Sequence, residues 1–264
     1  MKLTVITTIY NALPYLEESL ESVFNQTFKD FELILVNDGS TDGSRGMMYK
    51  CLDKPNVRML ENENNEGIPI SRNRALLEAQ GEYIAIHDGD DVSLPDRFQK
   101  EIEYLDSHPE VDFMGTHALK IGVSGGPSGY MSYPPPSTEM AFGLIKRFKL
   151  NPIIDPSCMY RKRVVLDMGG YTMDPFLRTA LDFHLWCRLL SKGSLLYNIQ
   201  EPLIKYRINP EGVTRTHNNQ MIEATDSIIA TFNRHNFKEQ VLRKGFFRQD
   251  SFTEIRKDNI GENE

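Results

Sequence analysis

Residues 81–98 read GEYIAIHDGDDVSLPDRF. EYIAIH (82–87) has the apolar content of a buried strand, and LPDRFQKEIEYLDSH (94–108) reads as a helix with Pro95 near its start, where a missing N–H costs nothing. Between them Asp88, Asp90 and Asp91 place three carboxylates within four residues. Close like charges repel, and burial makes the repulsion worse. A hard divalent cation would compensate them: Mg2+ and Mn2+ take oxygen ligands, often one or two carboxylates plus substrate phosphates. The alternative is helix capping, since Asp91 and Ser93 precede the helix. Capping accounts for one acid and leaves two.

The same alternation runs outward from this stretch. LTVITTI (3–9), FELILVN (31–37), NVRMLEN (56–62) and VDFMGT (111–116) read as strands. Residues 13–27 carry Leu16, Leu20, Val23 and Phe24 at helical spacing, and 69–80 carry Ala75, Leu76 and Ala79. Strands alternating with helices predict an α/β fold with right-handed crossovers and a mostly parallel central sheet. In such sheets ligands bind beyond the carboxyl ends of the strands. TTIYN, NDGSTDGS and HDGDD all fall there. GVSGGPSGYMSYPPPS (122–137) is rich in Gly, Pro and Ser and reads as a mobile loop that closes over ligand. Beyond it lie a helix near 138–148, a strand at 157–161, a helix around 182–191 and strand-like LLYNIQEPLIKYRI (195–208). The tail after about residue 218 reads as helical, then fades into RKDNIGENE.

Bulk properties narrow the function classes. A chain of 264 residues can bury a sizeable core. A net charge of -7 offers no basic excess for nucleic acid. Three scattered cysteines (Cys51, Cys158, Cys187) make neither a disulfide framework nor a zinc cluster, and read as reduced thiols in a cytoplasmic protein. MKLTVITTIYNA lacks the apolar length of a signal peptide, and no apolar run approaches the ~20 residues of a membrane span.

Two further segments carry chemistry. In VNDGSTD (36–42), Asp38 follows a buried-type strand and precedes a tight turn, where a carboxylate can accept a nucleobase N–H or simply close an Asx-turn. In GIPISRNRAL (67–76), Gly67 precedes Arg72 and Arg74. Arginine suits phosphate, while a solvated helix face is the plainer reading for Arg74.

Taken together, VITTIYN (5–11), QTFKDFELILVNDGSTDGS (26–44), GIPISRNRAL (67–76), GEYIAIHDGDDVSLPDRF (81–98), NPIIDPSCMYRKRVV (151–165), GGY (169–171), LDFHLWCRL (181–189) and YRI (206–208) resemble the family 2 glycosyltransferases. The resemblance covers about residues 1–217. It implies a GT-A, Rossmann-like domain over 1–217, with a nucleotide-binding half at about 1–116 and an acceptor-binding half at about 117–217. A helical C-terminal extension would occupy 218–264. The implied activity is inverting, metal-dependent transfer of a hexosyl or N-acetylhexosaminyl group from a nucleoside-diphosphate sugar, with UDP favoured, to a hydroxyl of a glycan or lipid-linked glycan.

The resemblance also implies residue roles. Thr8, Tyr10 and Asn11 would cradle the nucleoside, Asp38 would bond the base, and Gly67 and Arg72 would lie near the nucleotide. Asp88 and Asp90 match the D-x-D motif for Mn2+ or Mg2+ and the donor. Asp91 and His217 are further candidate metal ligands, and Asp155 falls where the sugar or acceptor pocket is shaped. Asp182 matches the catalytic base, although the usual preceding Glu is Leu181 and the usual following Asp is His184. Trp186 and Tyr206 read as packing residues. The tail is open to pairing in a homodimer or to touching a membrane that bears the acceptor. Two alternatives stand: a non-catalytic sugar-nucleotide or polysaccharide-binding relative, and a nucleotidyltransferase. The first loop, TTIYNALPYL, lacks the glycine- and arginine-rich sequence and lysine of the latter.

Overall fold

The structure is a computed structural model that describes residues 1–210, 212 and 216–232. Nine strands form one sheet in the order β3-β2-β1-β4-β8-β6-β9-β5, with β7 paired to β6. The strands are β1 (Leu3–Ile9), β2 (Phe31–Asp38), β3 (Val57–Asn62), β4 (Tyr83–Ile86), β5 (Val92–Ser93), β6 (Val111–Ile121), β7 (Pro127–Ser132), β8 (Met159–Arg161) and β9 (Leu195–Arg207). β3, β2, β1 and β4 are mutually parallel, and the long β6–β9 pairing is parallel too. Most of the sheet's register is therefore parallel. The short β8 runs antiparallel to both β4 and β6 and joins the two parallel blocks.

The inner strands read as unbroken apolar runs because both of their faces are covered. Ile6, Ile34, Val36, Ile84 and Ile86 point to one face, where they meet Ala75 and Leu76 of α3 (Ile68–Glu78), Ile145 of α5 (Thr138–Phe148) and Trp186 of α7 (Leu181–Ser191). Leu3, Val5, Leu33, Leu35 and Ala85 point to the other, against Leu16 and Leu20 of α1 (Leu13–Phe24), Met48 of α2 (Ser44–Lys50) and Phe98 and Ile102 of α4 (Arg97–Ser107). The helix α6 (Lys162–Asp167) follows β8, and α8 (Asn218–Phe232) closes the described chain. α8 buries Ala224, Ile228, Ile229 and Phe232 in the first cluster, with the Phe232 ring stacked on Phe142 at 4.8 Å. The remainder of the expected extension, 233–264, lies outside the described residues.

Two expectations need correction. Residues 122–137 are not one loop: 127–132 form β7, which turns back on β6 through Gly122–Gly126. Its Gly, Pro and Ser content hid an exposed edge strand whose side chains bury little. The helix after HDGDD begins at Arg97, because Val92 and Ser93 first pair with Lys205 and Ile204 of β9. The residue before that helix is Asp96, so Asp91 does not cap it.

Candidate active site

The acid-rich turn is built on buried supports. His87 donates its backbone N–H to Ile6 O at 3.1 Å, continuing the β1–β4 pairing. Its imidazole is fully buried between Ser19 Oγ (2.8 Å) and Ser93 Oγ (3.1 Å). Burial, aided by nearby Arg97, lowers its pKa to about 3, so the ring is neutral. Arg97 donates to Ile86 O, Cys158 O and Ser93 Oγ and pairs with Glu101, all within the core. The end of β4 is thus pinned beneath the acids.

Each acid then takes a different place. Asp88 accepts from Arg72 Nη2 at 3.1 Å and keeps 35% of its side chain exposed. Surrounding protein raises its pKa to about 7, with Asp155 and Asp90 adding to the rise and Arg72 opposing it. Asp90 Oδ2 accepts from Asn209 Nδ2 at 3.2 Å, and burial raises its pKa as well. Asp91 is buried. Its Oδ1 accepts the Arg207 backbone N–H at 2.7 Å, and its Oδ2 has no partner among the described residues. Burial and then its two neighbouring acids hold its carboxyl well above the usual range.

Arg207 ties this turn down. Its guanidinium donates to Asp90 O, Gly122 O, Val123 O and Glu18 Oε2 and lies over the Tyr15 ring. Sequence reasoning missed this role, since the YRI motif shows the residue and not its partners.

At the end of β2, Asp38 holds the 62–67 loop. Its Oδ1 accepts from Asn62 Nδ2 (2.7 Å) and Glu66 N (2.9 Å), and its Oδ2 accepts from Gly67 N (2.9 Å). A carboxylate offers about four lone-pair sites, so about one remains for a ligand donor. Gly67 sits at φ 92, and a Cβ there would come 3.0 Å from Arg178 Nη2. Arg74 is not merely solvated: it donates to Glu61 O at 2.9 Å and to Asn62 Oδ1, anchoring α3 to β3. Asn11, in the left-handed region at φ 51, accepts from Thr41 N at 2.8 Å and donates its backbone N–H to Ser40 Oγ. It locks the β1 and β2 loops together. Thr8 is partly buried, and Tyr10 is 51% exposed at the end of β1.

Arg72 crosses from this side to the catalytic candidate. Its side chain is 2% exposed, pairing with Asp155 Oδ2 at 2.6 Å as well as with Asp88, over the Tyr171 ring. Burial opposes its charge, but Asp155, Tyr171 and Asp88 outweigh that, and the guanidinium stays protonated. Asp155 Oδ1 is buried with no partner among the described residues.

Asp182 opens α7, where it accepts from the Phe183 backbone N–H and from Asn151 Nδ2. Burial first, and Asp155 second, raise its pKa to about 6. It stays largely ionised at neutral pH while being more basic than a surface carboxylate. Asn151 was quoted in NPIIDPS but given no role. His184 is neutral, its pKa lowered to about 4 by burial and then by Arg188. Trp186 packs as expected, fully buried and stacked on Phe113 at 5.4 Å, and Tyr206 is half-buried on β9.

The four candidate metal ligands are not drawn into one cage. Among the described residues no group of three or more His, Cys, Asp or Glu is gathered to hold an ion. His217 is exposed, its Nδ1 bonded to Thr216 Oγ1. The donors nonetheless fit a cation that shares few carboxylates with substrate phosphates. Asp88 and Asp90 are both partly open, and Asp91 Oδ2 is a buried oxygen left over.

Comparison with known proteins places this arrangement. The family model described as "Glycosyl transferase family 2" matches residues 4–169. EpsE of Bacillus subtilis (strain 168), whose name carries a provisional glycosyltransferase assignment, is 34% identical over 219 residues, 81% of this chain and 76% of EpsE. TuaG of the same organism, provisionally named for teichuronic acid biosynthesis, is 32% identical over 78% of each chain. Among solved structures, S. aureus TarS in complex with UDP-GlcNAc superposes with a TM-score of 0.66 at 22% identity, over 90% of this chain and 73% of that one. The Pyrobaculum calidifontis mannosyltransferase PcManGT, in complex with GDP-Man and Mn2+, gives 0.67 at 18% identity, over 93% and 69%. The last two establish the GT-A type of fold. With a family match that runs from β1 past the acid-rich turn, and relatives a third identical over four-fifths of its length, the chain belongs to the family 2 glycosyltransferases.

Proposed function

We propose that this glycosyltransferase moves a sugar from a nucleoside diphosphate, UDP in the first instance, to an acceptor hydroxyl with inversion at the anomeric carbon. The observation that carries the reading is Asp182: a carboxylate raised to about 6, fixed by Asn151 and the first turn of α7. It takes the acceptor hydroxyl's proton as that oxygen bonds the anomeric carbon. The bond from that carbon to the diphosphate oxygen breaks on the opposite face, and the leaving diphosphate keeps the electron pair. The remaining lone pair of Asp38 suits the N3–H of uracil. Thr8 and Tyr10 flank the nucleoside, Gly67 lets the 62–67 loop approach it, and Asn11 acts through the loop it locks. Arg72 holds Asp88 and Asp155 in place, and Asp155 shapes the sugar pocket. Asp88 and Asp90, with Asp91 and His217 as further candidates, would hold Mn2+ or Mg2+, which would supply positive charge at the departing diphosphate.

Relatives named for teichuronic acid and amylovoran biosynthesis favour a surface polysaccharide as the product. No helix among the described residues is long and apolar enough to cross a membrane. We place the enzyme in the cytoplasm, where it would act on a glycan or lipid-linked acceptor.

The test pairs binding with turnover. Calorimetric titration of UDP, GDP and dTDP, with Mn2+ and then with EDTA, should show metal-dependent UDP binding. Asp182→Asn should retain that binding and lower UDP-sugar turnover by about 10^3-fold, within the range for loss of a general base. Turnover at the wild-type rate would remove Asp182 from the mechanism. A folded protein that binds no nucleotide would favour a non-catalytic polysaccharide-binding relative.

A further inference from the structure

α5 leaves the core in an unusual way. Its inner face buries Ala141, Phe142 and Ile145, but the next five residues, Lys146, Arg147, Phe148, Lys149 and Leu150, are all exposed. Phe148 is 65% exposed and Leu150 54%. Lys149 ends the helix in the left-handed region at φ 55, and its ammonium reaches Asp226 of α8 at 2.5 Å. One turn before Asp226 on the same face of α8 stands Ile222, itself 51% exposed.

A single exposed apolar side chain needs no explanation. Here large apolar groups are interleaved with three cations in four residues, on a chain whose net charge is -7. That is the composition of a segment lying in a membrane interface. We propose that KRFKL docks on an anionic bilayer surface. Phe148 and Leu150 enter the boundary between headgroups and acyl chains. Lys146 and Arg147 face the lipid phosphates. Lys149 is already met by Asp226, and Glu223 follows Ile222 in the chain, so the electrostatic attraction rests on Lys146 and Arg147.

The position has a use. The next residue is Asn151, whose amide holds Asp182. Docking would bring a lipid-linked acceptor up beside the base. That consequence depends on the proposed function, whereas the docking itself does not.

The full chain should sediment with vesicles of equal parts phosphatidylglycerol and phosphatidylcholine, bind pure phosphatidylcholine far less, and be released by salt. Phe148→Ser with Leu150→Ser should lower vesicle partition by about tenfold or more, and so should Lys146→Glu with Arg147→Glu. An unchanged melting temperature in each variant shows that the fold is kept. Wild-type protein left in the supernatant would overturn the proposal, as would either variant sedimenting like wild type or equal binding to both vesicle types. Vesicle binding in a protein that transfers no sugar would support the docking surface and count against the enzyme reading.

Discussion

At the end of β2, Asp38 spends both oxygens on three donors of the segment it faces, so residues 62–67 are held by the protein itself. In the acid-rich region Asp88 and Asp155 share the buried Arg72, Asp90 and Asp182 each take an asparagine amide, Asp91 takes the Arg207 backbone N–H, and Asp91 and Asp155 each keep an oxygen with no partner among the described residues. The first region is satisfied by the protein. Among the described residues the second is electrostatically incomplete, and on the proposed function a bound donor and cation would complete it. On the proposed function the first region recognises the base, and it can be preorganised because its donors are the protein's own N–H groups, whereas a seam that would handle a diphosphate and a proton keeps charge in reserve.

The sharpest way to break this contrast is Arg72→Met. It strands Asp155 inside the protein and removes the partner of the part-exposed Asp88, and urea unfolding should show a loss of about 3 kcal/mol, at the low end for a broken buried ion pair because Asp88 reaches solvent. A loss below about 1 kcal/mol would mean that the acids are not held by Arg72. Asp38→Asn should cost less, about 1–3 kcal/mol, because an amide NH2 must face one of the N–H groups of Glu66 or Gly67. UDP affinity should fall with it, and a variant binding UDP as well as wild type would remove Asp38 from base recognition. The incomplete seam can be sharpened by pH. A base with a pKa of about 6 predicts transfer that rises with pH up to about 6 and levels off above it. Asn151→Ala removes a bond to the ionised form, so the rising limb should move to higher pH. An unmoved limb would show that Asn151 does not tune the base. The smallest effect belongs to Arg74→Ala, about 1 kcal/mol or less by thermal denaturation, because its bonds support Asn62 at one remove from Asp38.

The same contrast explains what could be read from the sequence. β1, β2 and β4 with α1, α3 and α4 were legible because burial on two faces forces continuous apolar strands and helical spacing between them. Helix ends and the strand β7 were not. Val92 and Ser93 form a strand on β9 and α4 starts at Arg97 rather than at Leu94, and nothing local announces a partner at 204–205. β7 lies on an exposed edge, where apolar alternation is not required. Asp38, Asp88, Asp90 and Asp182 stood out as acids at strand or helix ends. What each is bonded to did not, because Asn151, Asn62 and Arg207 reach them across 31, 24 and 117 residues of chain.

That last separation has a consequence for how the protein comes into being. During synthesis the chain emerges from its N-terminus, and β1 to β4 can assemble early from nearby partners. The acid turn at 88–91 cannot be fastened then. Arg207, which bonds Asp90 O and Asp91 Oδ1 and reaches Glu18 of α1, arrives more than a hundred residues later. A nascent or truncated chain ending before β9 would thus carry the nucleotide-side sheet but a loose carboxylate turn. The acid-rich turn therefore takes its last fastening only when almost all of the sheet has been made.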